Sequence, residues 1–207
     1  MEVIRPFGPS LAKVSIPIEI VNSLNEYVDK IVADEKKLNE LNHGHQLAGN
    51  VKQEFRLENE FMKKTGWGKF LADNCAEWIM YASQKKITKF ELIHSWIVRQ
   101  FKDEYNPLHV HSGHISGVGY LKVPDDCGKY FQENKKLNRN GEIELVHGSK
   151  MFNSAATITF KPKVGDFYFF PNYLLHTVYP FSNTDQERRS ISFNATIDNN
   201  IYNVYGA

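Results

Sequence analysis

"NPLHVHSGHISGVGYLKVP", residues 106–124, sets histidines at 109, 111 and 114 and then runs into an apolar stretch. If Leu108 to Ser112 is extended, His109 and His111 project from the same face, because side chains two apart on a strand share a side. Two imidazoles then aim at one spot. His114 is out of face with them unless Gly113, free to adopt left-handed backbone, turns it inward. The apolar part, "SGVGYLKV", has the length and composition of a strand, one of a series.

Just upstream, "FELIHSWIVRQF" alternates, which predicts Phe90, Leu92, His94, Trp96 and Val98 on one face of a strand. Downstream, "AATITFKP", "GDFYFFP", "LLHTVYPF" and "RRSISFNATI" are further strand candidates, separated by Gly, Pro, Asn and Asp clusters that read as turns. Residues 125–155 are polar and poorly periodic, an excursion long enough to carry function as a substrate lid. Before Thr88 the texture is helical. Ile20, Leu24, Tyr27, Val28, Ile31 and Leu38 recur at three- and four-residue steps between Pro17 and about Leu41, and Phe70, Leu71, Cys75, Trp78, Ile79 and Ala82 form a second stripe. Short strands without intervening helices predict a mainly β fold, an antiparallel sandwich or barrel with the N-terminal helices packed outside. The expected organisation is a single domain over 1–207, with 1–87 as helical support and 88–207 as the β core.

With 25 basic against 24 acidic residues, the charge balance gives no reason to expect a nucleic-acid partner. An aromatic content of 13% suits β-rich packing. Cys75 and Cys127 have no companions at metal-ligand spacing, so neither a disulfide framework nor a thiolate zinc site is expected, and a reducing cytoplasm is the natural location. The opening "MEVIRPFGPSLAKV" lacks a signal-peptide pattern, and no window reaches the roughly 18 apolar residues of a membrane span. No membrane partner is expected, and the oligomeric state is not legible.

A third imidazole for the His109 and His111 spot is His176, in "GDFYFFPNYLLHTVYPF", provided the sheet closes or folds over. Imidazole suits zinc, copper, iron and nickel, and an iron(II) oxygenase site usually takes two histidines and one carboxylate. Spacing alone does not name the metal, and a histidine pair also occurs without one. His94, on a buried face, reads as a hydrogen-bonded core residue, whereas His43, His45 and His147 fall in polar loops where solvent is the expected partner. In "ERRSISFNATI", Arg188 and Ser190 share a face, and Arg188 can grip a carboxylate with a bidentate fork. The alternative is that Arg188 and Arg189 form a solvated rim pair. "SNTDQ" between His176 and Arg188 reads as the turn of a hairpin.

Taken together, "HVHSGHISGVGYLKVP", "GDFYFFPNYLLHTVYPF" and "ERRSISFN" resemble the Fe(II)/2-oxoglutarate-dependent oxygenases, in particular a group common in marine phages and bacteria and related to prolyl hydroxylases. The resemblance covers about the last 100 residues. It implies a double-stranded β-helix, or jelly-roll, holding Fe(II), with 2-oxoglutarate and O2 as cosubstrates. Carried over by position, His109 and His176 become iron ligands, Arg188 the anchor for the distal carboxylate of 2-oxoglutarate, Ser190 the small hydroxyl beside it, and Tyr120 a hydrogen-bonding partner of the cosubstrate. Where prolyl hydroxylases have H-x-D, this chain has His111, which implies a three-histidine site; the alternative is that Asp125 or Asp126 reaches back. The implied activity is hydroxylation of an unidentified small-molecule or peptidyl substrate, with a prolyl or other amino-acid residue as the candidate, in the host cytoplasm if the chain is phage-encoded. Two other classes remain open: a three-histidine cupin-like metalloenzyme that does not use 2-oxoglutarate, and a noncatalytic jelly-roll binding module.

Overall fold

The computed structural model describes residues 1–4, 8–129, 132, 134–152, 154–182 and 184–203. Along the chain come β1 (Glu2–Ile4), β2 (Leu11–Ser15), α1 (Ile18–Ala33), α2 (Glu35–Leu41), β3 (Gln53–Arg56), α3 (Asn59–Lys64) and α4 (Trp67–Ser83). They are followed by β4 (Phe90–Gln100), β5 (Asn106–His109), β6 (Ile115–Lys122), β7 (Ile143–Val146), β8 (Thr157–Phe160), β9 (Asp166–Pro171), β10 (Leu175–Val178), β11 (Arg188–Ile197) and α5 (Asn199–Tyr202). The strands form a seven-stranded sheet, in the order β1-β2-β9-β6-β11-β4-β3, and a four-stranded sheet, β5-β10-β7-β8. Every pairing is antiparallel.

The period-two pattern of the central strands builds two interiors. On β9, Phe167 and Phe169 face outward and join Ile191, Phe193 and Ala195 of β11 against Val21, Leu24 and Val28 of α1 and Trp67 and Leu71 of α4. Their alternates Tyr168 and Phe170 face inward and pack with Val118, Tyr120, Ile143, Leu145, Leu174 and Val178 between the sheets. The helices therefore cover the outer face of the large sheet, and the two sheets close over a second core, the jelly-roll arrangement. Gly117 and Gly119 let the outer phenylalanines sink onto β6. A Cβ at 117 would stand 2.8 Å from the Phe167 ring and 2.9 Å from the Phe193 ring. On β11 the inner positions are polar instead: Ser190, Ser192 and Asn194 line a cavity between the sheets.

Several expectations are corrected. The first helical pattern is two helices, broken at Asp34, whose extended backbone lets its carboxylate cap α2 by accepting from the Lys37 N–H at 3.0 Å. On β4 the register against β11 shifts between Asn194 and Ala195, so His94 pairs with Asn194 but Leu92 with Ala195. Phe90 and Leu92 thereby join the helix-side core, while His94, Trp96 and Val98 face the cavity, and the five do not share a face. β10 and β11 lie in different sheets, so "SNTDQ" is a crossing between sheets and no hairpin turn; position 183 within it lies outside the described residues. The 125–155 excursion contains a strand, β7, whose apolar Ile143 and Leu145 are too few to show a period from sequence. Its positions 130, 131, 133 and 153, part of the expected lid, lie outside the described residues. Before residue 88, β1, β2 and β3 extend the large sheet at both edges, a contribution the helical reading did not include.

Candidate metal centre

The small sheet brings the first histidine pair to the third. In the pairing of β5 with β10, His109 stands directly opposite His176. His111, just past the end of β5, is held by its backbone N–H donating to the Asn172 carbonyl at 2.9 Å. The ligand nitrogens of His109, His111 and His176 all lie within 4.8 Å of one another.

Hydrogen bonding assigns the tautomer of each ring. His109 Nδ1–H donates to the Pro107 carbonyl at 2.6 Å, and His176 Nδ1–H to the Leu174 carbonyl at 2.9 Å. His111 Nδ1–H points at Asn194 Oδ1 at 2.9 Å and Ser116 Oγ at 2.6 Å; Ser116 gives its own proton to the Phe193 carbonyl and so can only accept. With all three protons on Nδ1, three Nε2 lone pairs face each other, 3.2 Å apart between His111 and His109 and 3.1 Å between His176 and His111. Neutral acceptors in that arrangement repel one another, and a cation among them removes the repulsion. Nitrogens about 2.1 Å from one ion, on adjacent corners of its coordination sphere, are separated by about 3 Å, so the spacing fits a shared metal. Burial holds all three imidazoles below their ordinary range, His111 at about 4 and His176 well below the usual imidazole value, so they stay neutral and available as ligands. The backbone carbonyls and Asn194 that orient them are the outer partners a metal-binding histidine needs.

Arg188 lines the same cavity and is 1% exposed. Its Nη1 donates to Gln100 Oε1 at 2.9 Å, but Nε and Nη2 are buried with no partner among the described residues. Its guanidinium lies over the Tyr120 ring, 5.0 Å from the centroid, and the Tyr120 hydroxyl is likewise buried and unpartnered. Among the described residues no carboxylate pairs with Arg188. A buried charge without a counter-ion costs several kcal/mol, a cost that an anion bound beside Arg188 would offset. Ser190, beside it on β11 and opposite Tyr120 across the β6 pairing, also lines the cavity. Arg189 points to the other side, where Glu187 and Asp29 neutralise it. Both arginines are buried, so they do not form a solvated rim pair.

The other sequence candidates stand elsewhere. His114 accepts from the Ile197 N–H at 3.1 Å and stacks on Tyr202 at 3.9 Å between centroids, away from the trio. Asp126 closes an exposed turn by accepting from the Gly128 N–H, and Asp125 pairs with Gln186. Neither aspartate reaches the histidines. Of "FYFF", Phe170 lines the cavity, whereas Phe167 and Phe169 belong to the helix side. His43, expected in solvent, is 1% exposed, because the 42–56 segment folds against β4. Sequence reasoning missed Gln100, Ser116, Asn194, His43 and Glu54, whose roles come from register and carry no local motif.

Fold and site together define a jelly-roll in which three convergent histidines and a buried arginine share one cavity. Residues 94–194, just under half of the chain, match the family described as "Putative 2OG-Fe(II) oxygenase". No curated protein matches the chain in sequence. Among solved structures it is similar to a prolyl-4-hydroxylase of Pseudomonas putida at 14% identity and a TM-score of 0.59, covering 89% of this chain and 91% of that one. It is similar to the viral collagen prolyl hydroxylase of Paramecium bursaria Chlorella virus-1, solved with 2OG, at 13% identity and a TM-score of 0.53, covering 89% and 94%. A Trichoplax adhaerens prolyl hydroxylase, solved with a hypoxia inducible factor peptide, gives 10% identity and a TM-score of 0.58, covering 95% and 87%. At these identities the likeness is one of fold.

Proposed function

We propose that the chain is an Fe(II)- and 2-oxoglutarate-dependent dioxygenase in which His109, His111 and His176 hold the iron and Arg188, Ser190 and Tyr120 hold the cosubstrate. The observation that carries this reading is the coexistence, in one cavity, of three convergent Nε2 lone pairs and an Arg188 with two unpartnered nitrogens. Bound iron, with 2-oxoglutarate and O2, supplies the oxidative decarboxylation that yields succinate and carbon dioxide and oxidises a C–H bond of the substrate.

The chain's own residues bind, orient and shield. Arg188 Nε and Nη2 offer a carboxylate two donors in the fixed fork that Lys lacks. The Tyr120 hydroxyl and Ser190 stand beside that fork as further hydrogen-bond partners. Asn194 and Ser116 keep the His111 proton on Nδ1. Trp96, Val118, Ile143, Phe170 and Val178 give the cavity apolar walls that exclude water from the reacting region. A cupin-like three-histidine enzyme without 2-oxoglutarate would leave Arg188 an unexplained buried charge. The two free cysteines suit a reducing cytoplasm, and the 1–87 segment serves as support for one domain with the 88–207 core.

The test is anaerobic titration of Fe(II)-loaded protein with 2-oxoglutarate, following the weak visible charge-transfer band of bidentate chelation. The band appears in the wild type and is lost in Arg188→Ala, while stoichiometric Fe(II) binding is lost in His109→Ala and His176→Ala. Iron binding without the band, or turnover of 2-oxoglutarate indifferent to Arg188→Lys, overturns the reading.

A further inference from the structure

The cavity of about 310 Å³ that holds the histidine trio and Arg188 has a second polar wall, contributed by His43 and Glu54. These two belong to a hairpin-like segment in which Asn42 bridges Phe55 and the His43 N–H donates to the Glu54 carbonyl at 2.9 Å. They are thus opposite neighbours on one antiparallel pair, with side chains on the same side. Glu54 also stands opposite Val98 of β4, and Val98 opposite Ser190 of β11, so one row of the large sheet runs from this wall to the proposed cosubstrate pocket.

Both side chains are more than nine-tenths buried, at 1% and 5% exposure, and each has an atom with no partner among the described residues: His43 Nε2 and Glu54 Oε1. Arg56 Nε donates to His43 Nδ1 at 3.0 Å, and a guanidinium only donates. His43 Nδ1 is therefore the acceptor, and the proton of the neutral ring sits on Nε2, a donor waiting for an acceptor. Burial keeps the ring neutral, with a value of about 4, helped by Arg56. Glu54 Oε1 is the converse, an acceptor waiting for a donor. The backbone at Gly49 approaches this carboxylate so closely that a Cβ there would lie 2.6 Å from Oε1.

We propose that His43 and Glu54 are the specificity pair of the substrate subsite and that they recognise a group presenting an N–H and a C=O on one edge. Glu54 accepts the N–H and His43 Nε2–H donates to the C=O. Two ligand types carry that edge: a primary carboxamide, and a single residue of an extended peptide. A cationic group fits less well, because the unpaired Arg188 and the His43 donor already make the cavity electropositive. This inference names the substrate class and rests on the oxygenase reading for its purpose, though not for its binding.

The experiment is ligand-observed NMR with calorimetry on the full chain, as purified and again with Zn(II). The probes are propionamide, N-acetylglycine methylamide, the depsipeptide analogue in which the glycine N–H is replaced by oxygen, and propylamine. The wild type binds an amide probe roughly tenfold more tightly than the depsipeptide, the factor expected from leaving one buried acceptor unpaired. Glu54→Ala abolishes that preference and Glu54→Gln, which keeps an acceptor oxygen and the side chain's shape, retains part of it. His43→Ala weakens amide and depsipeptide alike, since both keep the carbonyl. Propionamide binding best assigns a small carboxamide substrate, and N-acetylglycine methylamide binding best assigns a peptide. Equal binding of amide and depsipeptide, tighter binding of propylamine, or binding of no probe overturns the proposal. If amide preference holds while 2-oxoglutarate fails to bind at Arg188, the oxygenase reading fails and the specificity pair stands.

Discussion

Glu54 sits at 5% exposure, and burial lifts its carboxyl from the ordinary 4.5 to about 7, with Glu104 adding to the lift and the Asn106 amide opposing it. A carboxyl whose folded value is raised costs stability as pH climbs from the unfolded value through the folded one, because the folded state holds the proton longer. The penalty builds between pH 4.5 and 7 and amounts to about 3 kcal/mol above it. Glu54→Gln therefore raises the urea midpoint of the metal-free protein at pH 8, and the gain fades as pH falls below the unfolded value. A midpoint lowered at pH 8 contradicts the burial argument. A residue that costs stability where it stands fits a role in binding. The same logic applies to Arg188, whose neighbour Arg189 has the partners it lacks. One step along β11 turns the side chain from the cavity to the helix side, where Glu187 and Asp29 wait.

At the scale of elements, β6 owes its place to glycine. At Gly119 an added Cβ would run into the Phe167 ring and lie 3.0 Å from Ile16 Cδ1 and 3.1 Å from the Asp166 carbonyl. Gly119→Ala overpacks the junction of β6 with β9 and costs about 1–3 kcal/mol, read as a lowered Tm in calorimetry. An unchanged Tm would mean that β9 yields easily there. The shift of register between Asn194 and Ala195 does more than bend β4. It turns His94 and Trp96 to the cavity while Phe90 and Leu92 stay under the helices. Plain alternation predicts one face for all of them, and a period-two pattern does not reveal that β4 carries an extra residue, Ile93, opposite β11.

Across the whole molecule, the helices are tied to the sheet by a charge network. Glu187 pairs with Arg189 and Arg99, Arg189 also reaches Asp29 of α1, and Arg99 contacts Gln53 of β3. Burial pushes the Glu187 carboxyl up, but the two arginines outweigh it and hold it at about 2. Its folded value is depressed, so its contribution is present above the unfolded value of 4.5 and is lost as pH falls toward 2. Glu187→Gln costs about 3 kcal/mol at neutral pH and flattens the acid limb of the stability curve over that window, measured by denaturant unfolding at stepped pH. An acid limb unchanged by the substitution would sink the account.

Most strands from residue 88 onward, though not β7, the amphipathic stripes before it, and the candidates His109, His111, His176, Arg188, Ser190 and Tyr120 could be picked out in sequence. Periodicity, turn residues and side-chain type are local properties, and three motifs in one order resemble one family. What only the tertiary structure decided is which local readings meet. His109 faces His176 because β5 and β10 pair in the small sheet. Among the described residues Arg188 has no counter-ion and Arg189 does, because the large sheet separates the cavity from the helices. His43 and Glu54 line the same cavity only because the edge strand β3 lies on β4. Each depends on register between segments far apart in the chain, and the energy that sets register is the packing of whole faces, which no short stretch of residues contains.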